Sequence, residues 1–387
     1  MQWSTIGAIG LAAIKSAWSG GSPFAVQTVL YPLNEENKYI IQAEGIRLAL
    51  TLNGGAVSNL WINDTNGVER DIVIGFDQAN DVRDWVGNPW INGVIGRVAG
   101  YLGSPDYEIN GVQHTIATDT PDGTVFNGGD TGWGRRVLDV ASHSEDSITF
   151  VVFDRGWGGF PGKPAGCITH TVRPYEWQLS LGLVAVHSPT PVSLSQQVFW
   201  NLDGFSSDRI KTVQDHTLIL PYSGLRFDVD SRGVPNGDIL ANREGSTDDF
   251  WSEPRKIGDV LKNQSGTTAE GESYRKLDDT FLVMRSQPWK IDDGPAAVLA
   301  SDHSGIQVEL FTNQDALHVH TWSNGPDSVD LKNGQGSGQV PDLGAISMEM
   351  QNWPDALHHP EWQRQETAIL GTDRIYGGYS SFKLSVQ

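Results

Sequence analysis

A single cysteine, Cys167, among 387 residues excludes both a disulfide framework and a thiolate metal cluster. It reads as a small apolar filler. Positive charge is also scarce, with 27 lysines and arginines against 47 acidic residues and a net charge of -20. Such a chain repels phosphate backbones and anionic lipid surfaces, which excludes nucleic acid and membrane as partners. No apolar run is long enough to span a bilayer. The longest, Ile6 to Ile14, has the length of the apolar stretch of a secretory signal, and Ala17-Trp18-Ser19 supplies a cleavage site. Against that reading, no Lys or Arg precedes the run and Lys15 follows it. Residues 1-23 are therefore read as an N-terminal apolar segment of signal-peptide type, with an extracellular route expected. The sequons Asn63-Asp64-Thr65 and Asn263-Gln264-Ser265 fit a secreted glycoprotein.

Helical periodicity is equally sparse, and so are the familiar catalytic signatures. The chain has no GxGxxG between a strand and a helix, no phosphate loop, no HExxH and no GxSxG elbow. What it has instead is a succession of short segments rich in Val, Ile, Leu, Phe, Trp and Thr. IRLALTL (46-52), SITFVVF (147-153), WQLSLGLVAV (177-186), TFLVM (280-284), AAVLAS (296-301) and IQVELFT (306-312) are predicted strands. Asn66-Gly67, Asn110-Gly111, Asp122-Gly123 and Asn236-Gly237 are predicted turns between such strands. The pattern predicts an all-β fold, a large antiparallel β-sandwich. With no linker or repeat to divide it, residues 24-387 are read as one domain.

Several residues then stand out for their chemistry. Fourteen tryptophans exceed the needs of a core this size, and Trp85, Trp90, Trp133, Trp157 and Trp353 sit in Gly- or Asn-rich loops where an aromatic face can stack on a flat ligand. The alternative for each is a plug that seals a loop onto the sandwich. His318 and His320, two apart on the predicted strand LHVHTW, project to one face. That is a possible metal-ligand pair, but the run carries no carboxylate, so a polar pocket is the preferred reading. Glu349, between Met348 and Met350, is expected to be partly desolvated and to serve as a general base. Its alternative is an exposed strand residue paired to a cation. Asp278-Asp279 opens a strand as a turn cap or ligand anchor, and His358-His359 forms a second histidine pair. SLSQQVFWNLDGF (193-205) alternates like a strand and closes on Phe199-Trp200 and a turn at Asp203-Gly204. It places Gln196 and Gln197 before the aromatic pair, where an amide can bond to a ligand but cannot exchange a proton at neutral pH.

Taken in order, GGAVSNLWINDTNGVERDIVIGFD, GRVAGYL, NGGDTGWGRRVLDV, GGFPG, VFWNLDGF, FDVDSRGVPNGDI, LDDTFLV, TNQDALHVHTW and EMQNWPDALHHPEW resemble the aldose 1-epimerase family, the galactose mutarotases. The resemblance runs over almost the whole chain after the N-terminal segment. It implies the supersandwich fold with a sugar bound in an open cleft. It also implies acid-base ring opening, in which a glutamate takes the proton of the anomeric hydroxyl while a histidine protonates the ring oxygen, with no cofactor. By motif, the base falls on Glu349 and the sugar-binding aspartate on Asp278. The family's catalytic histidine falls on Gln197, its second histidine on Asn127, its Asn-Arg pair on Gly100-Tyr101 and its late-strand glutamine on His318. With both histidines and the arginine replaced, the relocated acid is expected to be His318, since it titrates near neutral pH and Tyr101 does not. Asp278, Gln197, Asn127, Tyr101, Arg97, Trp133 and His320 are the expected ligand-binding residues.

Three functions follow as expectations. The first is an isomerase acting on a sugar or sugar-like cyclic hemiacetal. The second uses the same acid-base pair for isomerisation, cyclisation or elimination on a non-sugar specialised metabolite. The third is a carbohydrate-binding protein without catalysis.

Overall fold

The computed structural model describes residues 32–81, 91–206, 211–262, 276–285, 293–323 and 328–387. The signal-type segment 1-23, Trp85, Trp90 and the Asn263 sequon lie outside the described residues.

Strand-period patterning becomes strand structure with little adjustment. In Ser147–Phe153 the residues Ile148, Phe150 and Val152 are buried while their neighbours are half-buried, the alternation a pleated strand imposes. Every ladder between named strands is antiparallel, as in the Glu176–Val184 pairing with Ile375–Val386. The largest sheet has nine strands, running from Asp139–His143 through Ile375–Val386 to Arg255–Lys256. A second has six: Phe199–Trp200, Ile346–Gln351, Ala316–Thr321, Asp278–Leu282, Leu225–Val229 and Pro235–Ala241, in that spatial order. A four-stranded sheet from Tyr39–Ala43 to Glu69–Asp71 completes the main layers. Among the described residues helix is confined to short pieces such as Ile257–Lys262 and Gln365–Ala368. No helix among the described residues is long and apolar enough to cross a membrane.

The two larger sheets share one core. Ile148, Phe150, Trp177 and Phe382 of the nine-stranded sheet belong to the same buried cluster as Phe281, Leu317, Val319, Met348 and Met350 of the six-stranded sheet. Trp177 stacks on Phe382 with ring centroids 4.4 Å apart. Each such side chain contributes roughly 1.5–3 kcal/mol of burial free energy, so the sandwich is held by its inner faces. The middle of the six-stranded sheet's outer face carries polar residues, flanked by the smaller apolar clusters of Phe199 and of Phe227, Leu282 and Ala316.

Two local expectations are corrected. SLSQQVFWNLDGF is not one strand: Ser195–Gln196 pairs with Val94–Ile95, Phe199–Trp200 pairs with Ile346–Gln351, and the chain changes partner between them. Asn236-Gly237 is not a turn but lies inside the edge strand Pro235–Ala241. The reversal is made by Asp230 to Gly233, where the Gly233 amide bonds to the Asp230 carbonyl at 3.0 Å. Asn-Gly is a turn signal only where the flanking register leaves it unpaired. At Asn110-Gly111 both residues take positive φ and the hairpin forms as predicted.

Candidate active site

The outer face of the six-stranded sheet assembles its polar residues by register. Ser347, His320 and Asp278 lie opposite one another across three strands, and Glu349, His318 and Thr280 form the next such row. Directly opposed residues in an antiparallel ladder point the same way, so both rows face outward together. Met348 and Met350 point inward, into the core. Glu349 is desolvated as expected, but not by its flanking thioethers: alternation sends them to the other face, and polar neighbours bury the carboxylate.

Glu349 is 3% exposed. Its Oε1 accepts a hydrogen bond from Gln197 Nε2 at 3.0 Å and from Ser347 Oγ at 2.9 Å, and His320 Nδ1 lies 3.4 Å away. Among the described residues no hydrogen bond falls on Oε2, which leaves that oxygen for a ligand. The two histidines, with ring centroids 5.2 Å apart, have opposite environments. His318 Nδ1 meets Thr280 Oγ1 at 3.0 Å, and its Nε2 lies 3.3 Å from Asp278 Oδ1. Burial disfavours charge on His318, but the hydrogen bond and charge of Asp278, with Glu349 and Asp279 adding to them, outweigh it and raise its pKa. For His320 burial wins over the attraction of Glu349, so its pKa is lowered and the ring is held neutral. Opposed shifts of this kind separate the two rings in their affinity for a proton. Asp278 stands at the solvent edge, its side chain 74% exposed. Asp279 faces the other side of the sheet, 3.9 Å from Arg226.

Aromatic side chains bound this face. Phe199 meets His320 edge-on at 4.8 Å and Trp322 at 5.0 Å. Beyond Thr280 and His318, Phe227, Trp353 and Trp362 pack on one another at 5.1 to 5.5 Å. Tyr101 stacks on Phe126 at 4.4 Å. Burial is the main cause of its raised phenol pKa, followed by the charges of Asp278, Asp122 and Asp119. The backbone that presents Tyr101 turns at Gly100, whose φ of +78° suits glycine.

Other expected ligand residues sit elsewhere. Asn127 is a loop fastener: its Oδ1 accepts the Gly100 amide at 2.8 Å, and its own amide bonds to the Gly100 carbonyl at 3.0 Å. Arg97 and Trp133 are both corrected to internal positions, each 1% exposed. Arg97 Nη2 lies 2.9 Å from Asp154 Oδ1, its Nε donates to Oδ2 at 3.1 Å, and Nη1 donates to Thr190 Oγ1 at 2.5 Å. Trp133 Nε1 donates to the same Asp154 Oδ2 at 3.0 Å. These residues lock loops together and present nothing to a ligand. Trp157 packs under Arg136 and Trp353 under Arg364, at 4.4 and 4.3 Å. No set of three His, Cys, Asp or Glu side chains among the described residues converges as a metal site requires.

Sequence reading missed Ser347 and Thr280. The period of two in ISMEMQ and DDTFL would have found them, since Ser347 shares the face of Glu349 and Thr280 that of Asp278.

A family model described as aldose 1-epimerase matches residues 37–370. The epimerase FSL3 of Gibberella zeae is 50% identical over 401 aligned positions, covering 99% of this chain and 92% of that protein. Human galactose mutarotase is 24% identical, with 97% of this chain and all of that protein covered. Among solved structures, the GalM/aldose epimerase homologue of C. elegans superposes with a TM-score of 0.75 at 21% identity, covering 90% of this chain and 98% of that one. That likeness extends to the β-sandwich itself, and the agreement of family model and relatives along nearly the whole length shows that this chain belongs to the aldose 1-epimerase family.

Proposed function

We propose that the protein is an acid-base isomerase of a small cyclic hemiacetal, sugar or sugar-like, with Glu349 as base and His318 as acid. The observation that carries this reading is the row that sets a buried carboxylate, with Oε2 unspent, opposite a histidine that lies 3.3 Å from Asp278, which raises its pKa. Opposed side chains on a sheet face stand about 5 Å apart at Cβ, a spacing suited to two oxygens on one carbon. Glu349 Oε2 takes the proton of the anomeric hydroxyl, and His318 Nε2 gives its proton to the ring oxygen. The C1 to ring-oxygen bond breaks with its electrons passing to that oxygen, leaving an aldehyde. Rotation about the adjacent bond and reversal of both proton transfers close the ring on the other face. Asp278 swings from Nε2 to admit the ring oxygen, and its exposure makes that movement easy. Gln197 replaces a proton donor by an amide that orients Glu349. A protein of this name class among the relatives, the epimerase of Gibberella zeae, supports the isomerase reading.

A second reading concerns the ligand. The positions that the family resemblance assigns to an arginine and a second histidine hold Tyr101, packed on Phe126, and Asn127, whose side-chain oxygen is engaged by the Gly100 amide. Two donors to sugar hydroxyls are thereby lost and an aromatic wall gained, which favours a hemiacetal poorer in hydroxyls than a hexose. Anomer exchange measured by NMR for galactose, glucose and 6-methyltetrahydropyran-2-ol, whose second stereocentre makes the two anomers distinguishable, tests both readings. Acceleration by the protein, lost in Glu349→Gln, is the expected result, with the hydroxyl-poor lactol turned over best. No acceleration of any hemiacetal removes the isomerase reading, and a preference for the hexoses removes the second.

A further inference from the structure

We propose that Thr280 is a positioning residue for His318, its hydroxyl holding Nδ1 so that Nε2 is the nitrogen that faces the cleft and delivers the proton. The inference rests on the acid role given to His318 above, but it concerns a residue to which neither the family resemblance nor the relatives assign a part. Thr280 and His318 are directly opposed in the ladder, and Oγ1 lies 3.0 Å from Nδ1. The β-branched side chain is stiff at χ1, so strand pairing alone aims the hydroxyl.

The chemistry of the partner matters. An imidazolium has two N–H donors, and here one meets Thr280 and the other lies 3.3 Å from Asp278. When Nε2 gives up its proton, the ring becomes the Nδ1–H tautomer, and the hydroxyl still accepts from Nδ1. A second carboxylate there would hold the charged ring too firmly to release a proton. A methyl group would leave Nδ1–H without a partner in both states. The remaining ionisable groups around the ring are Glu349 opposite it, His320 beside it and Asp279 behind the sheet. None of these replaces the hydroxyl at Nδ1.

Thr280→Val and Thr280→Ser test the assignment in the full chain. NMR titration of the His318 ring, identified by the signal lost in His318→Gln, is read on ligand-free protein and needs no activity. In the Val variant the titration moves to lower pH, because the charged ring loses a stronger, charge-assisted hydrogen bond than the neutral ring does, and the Ser variant restores it. With an accepted substrate, kcat of the Val variant falls about tenfold, the worth of one ordinary hydrogen bond, with KM within about twofold. The alkaline limb of its pH profile moves with the titration. An unchanged titration in Thr280→Val overturns the proposal, as does a rise in KM with kcat intact, which would make Thr280 a ligand contact. If the titration shifts while no hemiacetal is isomerised, the positioning of the ring stands and the isomerase reading falls.

Discussion

Asp154 and Glu349 are both carboxylates buried within the β structure, yet their oxygens are used differently. Asp154 Oδ1 accepts the amides of Gly156 and Trp157 and faces Arg97, while Oδ2 takes Arg97 Nε and Trp133 Nε1. Both oxygens are saturated by the protein. Glu349 gathers its donors on Oε1 alone, and its neighbours are an amide, a hydroxyl and a neutral imidazole. One is a rivet between loops; the other keeps an oxygen free of protein donors, as the base proposed above requires. Burial of charge is common to both carboxylates; unspent bonding capacity is what distinguishes Glu349 from Asp154.

Four measurements test the difference between the two carboxylates and their surroundings, the largest expected effect first. Glu349→Gln keeps donors paired and shape unchanged, so thermal unfolding should stay near wild type while isomerisation falls roughly 10²- to 10⁴-fold. Equal loss of stability and activity would place Glu349 with Asp154. Asp154→Asn, by contrast, leaves Arg97 buried without its counter-charge. Denaturant unfolding should show a loss of about 3–5 kcal/mol, with kcat per folded molecule unchanged. A selective fall in kcat would bring the Arg97 node back into the site.

Asp278→Asn removes the main group that raises the pKa of His318. Its pKa then falls, and the alkaline limb of the kcat/KM profile moves to lower pH, with a fewfold loss at neutral pH. An unmoved limb would dissociate that limb from His318.

The smallest effect is expected at the rim. His358 faces Asp355 Oδ1 through Nδ1 and bonds to the Asp106 carbonyl through Nε2 at 3.0 Å, tying the loop that carries Trp353 to the Asp106–Ile109 hairpin. Burial opposes its charge, but Asp355 and the Asp106 carbonyl raise its pKa. A histidine with a raised folded pKa stabilises the fold fully below its unfolded pKa of about 6.5, and that stability is lost as pH rises through the folded value. His358→Gln should therefore lower stability by about 1 kcal/mol at pH 5 and by little at pH 9, read from denaturant midpoints. A pH-independent change would show that the ring acts by packing alone.

Much of the fold was legible because strands advertise themselves by alternation. Ser147–Phe153 and Ile306–Thr312 have the bounds that their sequence pattern predicts. Glu349, His318 and Asp278 were likewise visible by type and by strand position. Arg97 and Trp133 were not separable from them, because a motif residue that rivets a loop and one that meets a ligand look alike in one dimension. Gln197 was visible as an amide in place of an acid, but not as the donor to Glu349.

The sequence by itself determined the β architecture and which residues share a face of each strand, since side chains alternate with a period of two whatever lies beside them. Which faces meet is set by the three-dimensional packing. Register between strands from distant parts of the chain placed Thr280, His318 and Glu349 in one row, and partner saturation sent Arg97 inside. Both depend on long-range pairing, whose free energy comes from burying the whole inner face rather than from any local run of residues.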